Sequence, residues 1–175
     1  MGKTLMILAH PNIEESIGNK IISNIIAQQK NTEVRHLDQL YPDFKIDIKT
    51  EQEALLSAET IVFQYPLFWY STPAILKEWI DQVFQYGFAF GANSYNLEGK
   101  KIILSFTIGS PTTDYPQDII DKITFHLKGL SQYCKMDFLG VLFCNDINNY
   151  TDGAKEKAID RSNSQAEKLI ELINQ

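Results

Sequence analysis

Apolar and polar positions alternate along this chain in two rhythms. Short runs of strand formers, too short for helices, take turns with longer stretches whose apolar residues recur three and four apart. Lys3 to Ala9 is the first run, and its lack of polar alternation predicts a central strand covered on both faces. Ser16 then stands as candidate N-cap of a helix over Ile17 to Gln29, with Ile21, Ile22, Ile25 and Ile26 as its buried stripe. Thr32 to Leu37 reads as a second strand and Asp38 to Ile48 as an irregular connection. Thr50 to Ala58 reads as a short helix, opened by a Thr50/Glu53 capping box.

The third strand covers Thr60 to Tyr65 and is broken by Pro66; a helix follows from about Thr72 to Gln85. Tyr86 to Gly99 is rich in glycine and aromatics, and Phe88 and Phe90 suit a contact with a second subunit. A fourth strand, Lys101 to Phe106, leads into a turn-rich loop from Thr107 to Tyr115. Then come a helix from about Gln117 to Tyr133, a strand over Phe138 to Cys144 and a last helix from Asp152 to Ile173.

Five strands alternating with helices predict a single α/β domain over residues 1–175, doubly wound around a parallel sheet. By analogy with folds of this size the strand order is 2-1-3-4-5, the flavodoxin-like winding. Ligands of such sheets sit at the carboxyl ends of the strands, where the winding reverses. That crevice falls to the loops after strands 1, 3 and 4: His10 to Asn19, Tyr65 to Ser71, and Thr107 to Tyr115.

Totals exclude several partners. The net charge of -6 disfavours nucleic acid, which requires clustered Lys and Arg. No apolar run approaches the roughly 20 residues of a membrane span. The N-terminus runs straight into a strand without a secretory pattern, and Cys134 and Cys144 have neither redox nor zinc spacing. The expectation is a cytoplasmic protein with reduced thiols and no direct membrane insertion. His10, His36 and His126 lie far apart, so no metal site is expected.

The loops narrow the ligand. Gly18 is the only glycine of the first loop, which rules out the dinucleotide fingerprint and the P-loop. No Gly-x-Ser-x-Gly elbow occurs. A flavin mononucleotide suits the residues better. Its phosphate would sit at the N-terminus of the first helix, with Ser16 and Asn19 adding hydrogen bonds and His10 a partial positive charge. Its ring would lie against Trp69, flanked by Phe68 and Tyr70, with backbone N–H groups of 67–70 and 107–110 at its polar edge. Glu14 and Glu15, unfavourable near a phosphate, should point outward. Each residue also has a plain structural explanation. Helix capping alone accounts for Ser16, a subunit contact for Trp69, and an ordinary loop position for His10 or Tyr115. Trp79 reads as core.

Taken together, Ala9-His-Pro11, Ser16-x-x-Asn19, Leu40-Tyr-Pro-Asp-Phe-x-Ile-Asp47, Glu51-Gln-Glu-Ala54, Pro66-Leu-x-Trp-Tyr70, Pro73-Ala-x-Leu-Lys-x-Trp79 and Gly87-x-Ala-x-Gly91 resemble the flavodoxin-like NAD(P)H:quinone oxidoreductases. The resemblance spans nearly the whole chain. It is strongest to the small bacterial group containing the ancillary subunit of glutathione-gated potassium-efflux antiporters. It implies FMN, or FAD, at a homodimer interface, with the short chain favouring FMN. It also implies ping-pong transfer of hydride from NADPH or NADH to a quinone. The flavin contacts it implies are His10, Ser16, Ile17, Gly18, Asn19, Pro66, Leu67, Phe68, Trp69, Tyr70, Thr107, Ile108, Gly109 and Ser110, with a catalytic role at Tyr115. The chain departs from the pattern in three places. The fourth loop reads Thr107-Ile-Gly-Ser110, Pro116-Gln-Asp follows Tyr115 where a histidine segment is usual, and Phe90 stands where the partner often supplies tyrosine. The alternative the resemblance allows is a regulatory subunit docked on a potassium-efflux antiporter, with or without turnover.

Overall fold

The computed structural model describes residues 2–91, 94–148 and 153–175, and gives the backbone alone at Thr112. Five strands form one parallel sheet in the order β2-β1-β3-β4-β5. They are β1 (Thr4–Leu8), β2 (Thr32–His36), β3 (Thr60–Pro66), β4 (Lys101–Thr107) and β5 (Asp137–Cys144). The helices are α1 (Gly18–Ala27), α2 (Leu37–Leu40), α3 (Ile48–Ser57), α4 (Ala74–Val83), α5 (Gln117–Tyr133) and α6 (Ala154–Ile173). The expected start of the last helix at Asp152 lies outside the described residues, as do Ala92 and Asn93 of the Tyr86–Gly99 segment.

The pleat divides each central strand between two cores. Leu5 and Ile7 of β1, Ile61 and Phe63 of β3, and Ile102, Leu104 and Phe106 of β4 pack with α4 and α5 through Ile75, Trp79, Ile80 and Leu127. Met6, Val62 and Ile103 pack on the other side with Ile22 and Ile26 of α1 and Ala166 and Leu169 of α6. Both faces are therefore apolar, which is why β1 and β3 read as unbroken hydrophobic runs.

Several local expectations are corrected. Pro66 does not break β3; it is the last residue of the strand, where its missing N–H costs no ladder bond. The connection after β2 contains the single helical turn of α2. Helix α3 begins at Ile48, capped by Asp47, whose carboxylate accepts from Thr50 N–H at 3.1 Å and Thr50 Oγ1 at 2.8 Å. Thr50 is thus a donor to the cap rather than the cap itself. Phe88 is buried in the α4 core, so the exposed rings of that region are Tyr86 and Tyr133, with Phe90 packed against both.

Candidate functional site

At the carboxyl ends of the strands a crevice of about 300 Å³ opens between the segments after β1, β3, β4 and β5. His10, Ser16, Ile17, Asn19, Pro66, Leu67, Phe68, Thr107 and Gly109 line it, all of them expected from the sequence. Asn12 and Glu15 of the expected first loop line it too, Glu15 against the expectation that it points outward, and Ile147 and Asn148 line it unforeseen. The last two follow β5. Because β5 is hydrogen-bonded to β4, its trailing segment is carried to the same opening, a consequence legible in the strand order.

Its wall at α1 is built for an acceptor. Ser16 is extended, and its Oγ accepts from Asn19 N–H at 3.2 Å and Asn19 Nδ2 at 3.3 Å. It does the work of an N-cap one residue before the formal cap Ile17, and its hydroxyl hydrogen remains free to donate. The N–H groups of Gly18 and Lys20 fall in the first turn, where a helix offers no internal acceptor. Gly18 itself is buried. A Cβ there would stand 2.8 Å from Thr107 Cγ2 and 2.9 Å from Ile147 Cγ2, so glycine is what lets α1 close on β4.

The floor is a buried amide relay. Gln64 Nε2 donates to Asn19 Oδ1 at 2.8 Å, and Asn19 Nδ2 donates to Thr107 Oγ1 at 2.8 Å. Gln64 Oε1 is buried without a partner, an unsatisfied acceptor of a kind that marks functional sites. The sequence pattern shows Gln64 only as a strand residue. Its polarity inside an apolar run was the available signal.

His10 differs from expectation. Asn12 N–H donates to His10 Nδ1 at 3.1 Å, so Nδ1 is unprotonated, and burial lowers the ring's pKa. His10 therefore presents a neutral imidazole with Nε2–H as donor, not a partial positive charge. Its backbone is clamped on both sides. His10 N–H donates to Asp38 Oδ2 at 2.8 Å, and His36 Nε2 lies 2.9 Å from His10 O, acting as donor to it. Glu14 faces water as expected and pairs with Lys20, but Glu15 stands on the crevice rim.

After β3 the backbone turns through a tight hairpin. Phe68 and Ser71 exchange two hydrogen bonds of 3.0 Å, and Trp69 and Tyr70 between them have φ of 47° and 64°. Trp69 is 94% exposed and Tyr70 57%. Neither lines the crevice, and Trp69 does not wall it as the sequence led us to expect. Leu67, Phe68 and Ile108 spend their N–H groups on Thr107 O, Ser71 O and Cys144 O. Among the described residues, those of Trp69, Tyr70, Gly109 and Ser110 have no intrachain acceptor. Ile108 is core. Tyr115 lies outside the crevice with its ring 5.8 Å from that of Tyr70, and burial raises its hydroxyl pKa. Among the described residues no group of His, Cys, Asp and Glu could hold a metal ion. Nor, among them, is any helix long and apolar enough to cross a membrane.

The family model for the flavodoxin-like fold matches residues 2–170. The chain belongs to that family. It is 35% identical over 98% of its length to an uncharacterised NAD(P)H oxidoreductase of Bacillus subtilis (strain 168), covering 97% of that protein. It is 40% identical over 77% of its length to the ancillary protein of the glutathione-regulated potassium-efflux system of Enterobacter sp. (strain 638), covering 78% of it. Among solved structures, general stress protein 14 of Treponema denticola, in complex with FMN, superposes with a TM-score of 0.87 at 30% identity, covering 97% of this chain and 99% of that one. An NADPH-quinone reductase of P. pentosaceus superposes with a TM-score of 0.77 at 25% identity, covering 94% and 97%.

Proposed function

We propose that this protein is an FMN-dependent oxidoreductase that takes hydride from NAD(P)H and delivers it to a quinone or similar two-electron acceptor. The observation that carries the reading is the open first turn of α1 at the switch point, which offers donors and holds no acidic residue, Glu15 standing on the rim before it. Those donors are the Ser16 hydroxyl, the Gly18 and Lys20 N–H groups and His10 Nε2–H. They suit the FMN phosphate, because neutral donors and the helix dipole hold an anion without a cation.

When bound, the flavin supplies the hydride chemistry, accepting two electrons from the donor and passing them on. The chain's residues position it. The N–H groups of Trp69, Tyr70, Gly109 and Ser110 lie at the hairpin and the β4 loop, where the ring's polar edge would fall. Donors aimed at that edge stabilise charge on the reduced ring. Tyr115, protonated at neutral pH beside Tyr70, would offer a hydroxyl proton to the acceptor side. The likeness to an FMN-bound structure and to named NAD(P)H oxidoreductases supports this reading. The active unit is a homodimer, with the exposed Trp69 ring covered by the second subunit.

A visible spectrum of the purified protein after incubation with FMN tests it. Retention of a flavin band through gel filtration, bleached by NADPH and restored by a quinone, is the expected result. A colourless protein that does not oxidise NADPH with a quinone present would overturn it. The similarity to the potassium-efflux ancillary protein favours a second, compatible role as an activating subunit of such an antiporter. Potassium efflux unchanged by deletion of the gene would remove that role.

A further inference from the structure

The Phe68–Ser71 hairpin separates two hollows. Phe68 faces the crevice, while Tyr70 and Ser71 border a second hollow of about 430 Å³ between α4 and α5. Tyr70, Ile119 and Ile123 give this hollow a flat apolar wall, and Lys77, Lys122 and His126 give it a basic rim. The lysines come from different helices, so they approach one point from two directions. Each has a carboxylate four residues away on its own helix, Lys77 with Asp81 and Lys122 with Asp118. Neither carboxylate lines the hollow. Exposed pairs of this kind contribute only about 0.3–0.5 kcal/mol, so they yield readily to a stronger anion. Burial lowers the His126 pKa, the Ile123 backbone raises it and the neighbouring Lys77 lowers it, so the two lysines are the hollow's cations.

We propose that this hollow receives the phosphorylated adenosine end of the hydride donor, and that Lys77 and Lys122 select the 2'-phosphorylated nicotinamide dinucleotide over the unphosphorylated one. The inference rests on the oxidoreductase reading above. The chemistry of the two ends matches the two walls. An adenine ring covers Tyr70 and the isoleucines, while a phosphate monoester, carrying roughly 1.5 to 2 negative charges, sits between two ammonium groups. A pyrophosphate, with one charge per phosphorus, would gain less from such a convergence. Tyr70 belongs to the hairpin that also borders the crevice, so a dinucleotide anchored here reaches across the hairpin toward the ring.

Calorimetric titration with adenosine 2',5'-bisphosphate and with AMP tests the assignment without turnover. We expect the bisphosphate to bind about tenfold tighter or more, the scale of a charge-assisted pair. In the Lys77→Gln/Lys122→Gln double variant that preference should vanish, with flavin absorbance and melting temperature kept at the wild-type values. Equal binding of the two ligands to wild type, or a preference that survives both substitutions, would overturn the assignment. Lack of flavin uptake would instead strike the oxidoreductase reading. Equal binding of the two ligands to wild-type protein that does hold flavin strikes the hollow alone.

Discussion

Phe68 and Ser71 close a two-residue turn around Trp69 and Tyr70. Both central residues are left-handed, at φ of 47° and 64°, in a turn that favours Asn-Gly. Each such residue with a Cβ costs roughly 1–2 kcal/mol, and burial does not offset it here, because Trp69 lies almost entirely in water. Strain held at an exposed aromatic tip points to a binding role. Replacing the pair by Trp69→Asn/Tyr70→Gly should raise stability by about 1–2 kcal/mol, seen as a higher melting temperature, while weakening flavin retention. A variant that is no more stable, or that holds flavin as tightly, would remove the argument. Gly18→Ala should instead lower stability at the other wall. Its Cβ would press on Thr107 and Ile147, costing about 1–3 kcal/mol and displacing the first turn of α1 from the crevice. Urea titration would read the loss. The aromatic triplet and the lone glycine are visible in the sequence. The backbone angles, held by the Phe68–Ser71 bonds, and the 2.8 Å approach, set by where β4 and α1 come to rest, are not.

Among the elements, β2, α3 and α4 are joined by one buried carboxylate. Glu51 is fully buried and accepts from Arg35 Nε at 2.9 Å, from Tyr41 Oη and from Trp79 Nε1 at 2.9 Å. The Leu40–Asp47 and Glu51–Ala54 motifs and Trp79 carry this cluster, so the role assigned to Trp79 as plain core is incomplete: its indole nitrogen is a donor. Arg35 extends the chain of charges to Glu33 and Lys3. Breaking such a cluster leaves a buried charge uncompensated, and Glu51→Gln should cost about 3–5 kcal/mol in chemical denaturation. Burial and the Glu51 carboxylate push the Tyr41 hydroxyl up to about 12. A folded pKa above the unfolded value of about 10 means that this stabilisation is full below pH 10 and is lost as pH climbs toward 12. Wild-type protein should therefore lose stability over that window, and Tyr41→Phe should show a shallower loss from a lower starting point. Tyr65, also raised by burial, leaves part of the alkaline slope in place. An identical slope in wild type and variant would sink this account. Next to the cluster, α2 brings Asp38 to the His10 N–H, so the same edge of the sheet steadies the first crevice loop.

For the whole molecule, the sheet order decides where chemistry can occur. Another hollow of about 300 Å³ opens at the amino-terminal ends of the strands, between Thr4, Thr32, Thr60 and the end of α6. It lacks a helix N-terminus and lies away from the reversal of winding, so the crevice at the carboxyl ends is the stronger site. In the proposed homodimer the exposed rings of Trp69, Tyr86 and Tyr133 would be candidates for the subunit contact. Sedimentation at micromolar concentration should give a dimer, and a Trp69→Ser variant should shift it toward monomer; a monomeric wild type would oppose the two-subunit site.

The hydrophobic rhythm by itself determined the five strands, the flanking helices and, through the usual winding of such units, the end of the sheet where the crevice opens. The three loops it placed there hold eleven of the crevice residues, because loops that follow adjacent parallel strands must meet, and the family resemblance named nine of those. Only the tertiary structure decided the rest. It made His10 a neutral donor by burying it against the Asn12 N–H, put Glu15 on the rim, brought Ile147 and Asn148 in behind β5, and turned Trp69 outward on a strained hairpin. These are facts of dielectric, close approach and backbone angle. Such quantities arise only when distant segments pack, and a periodic pattern of side chains does not encode them.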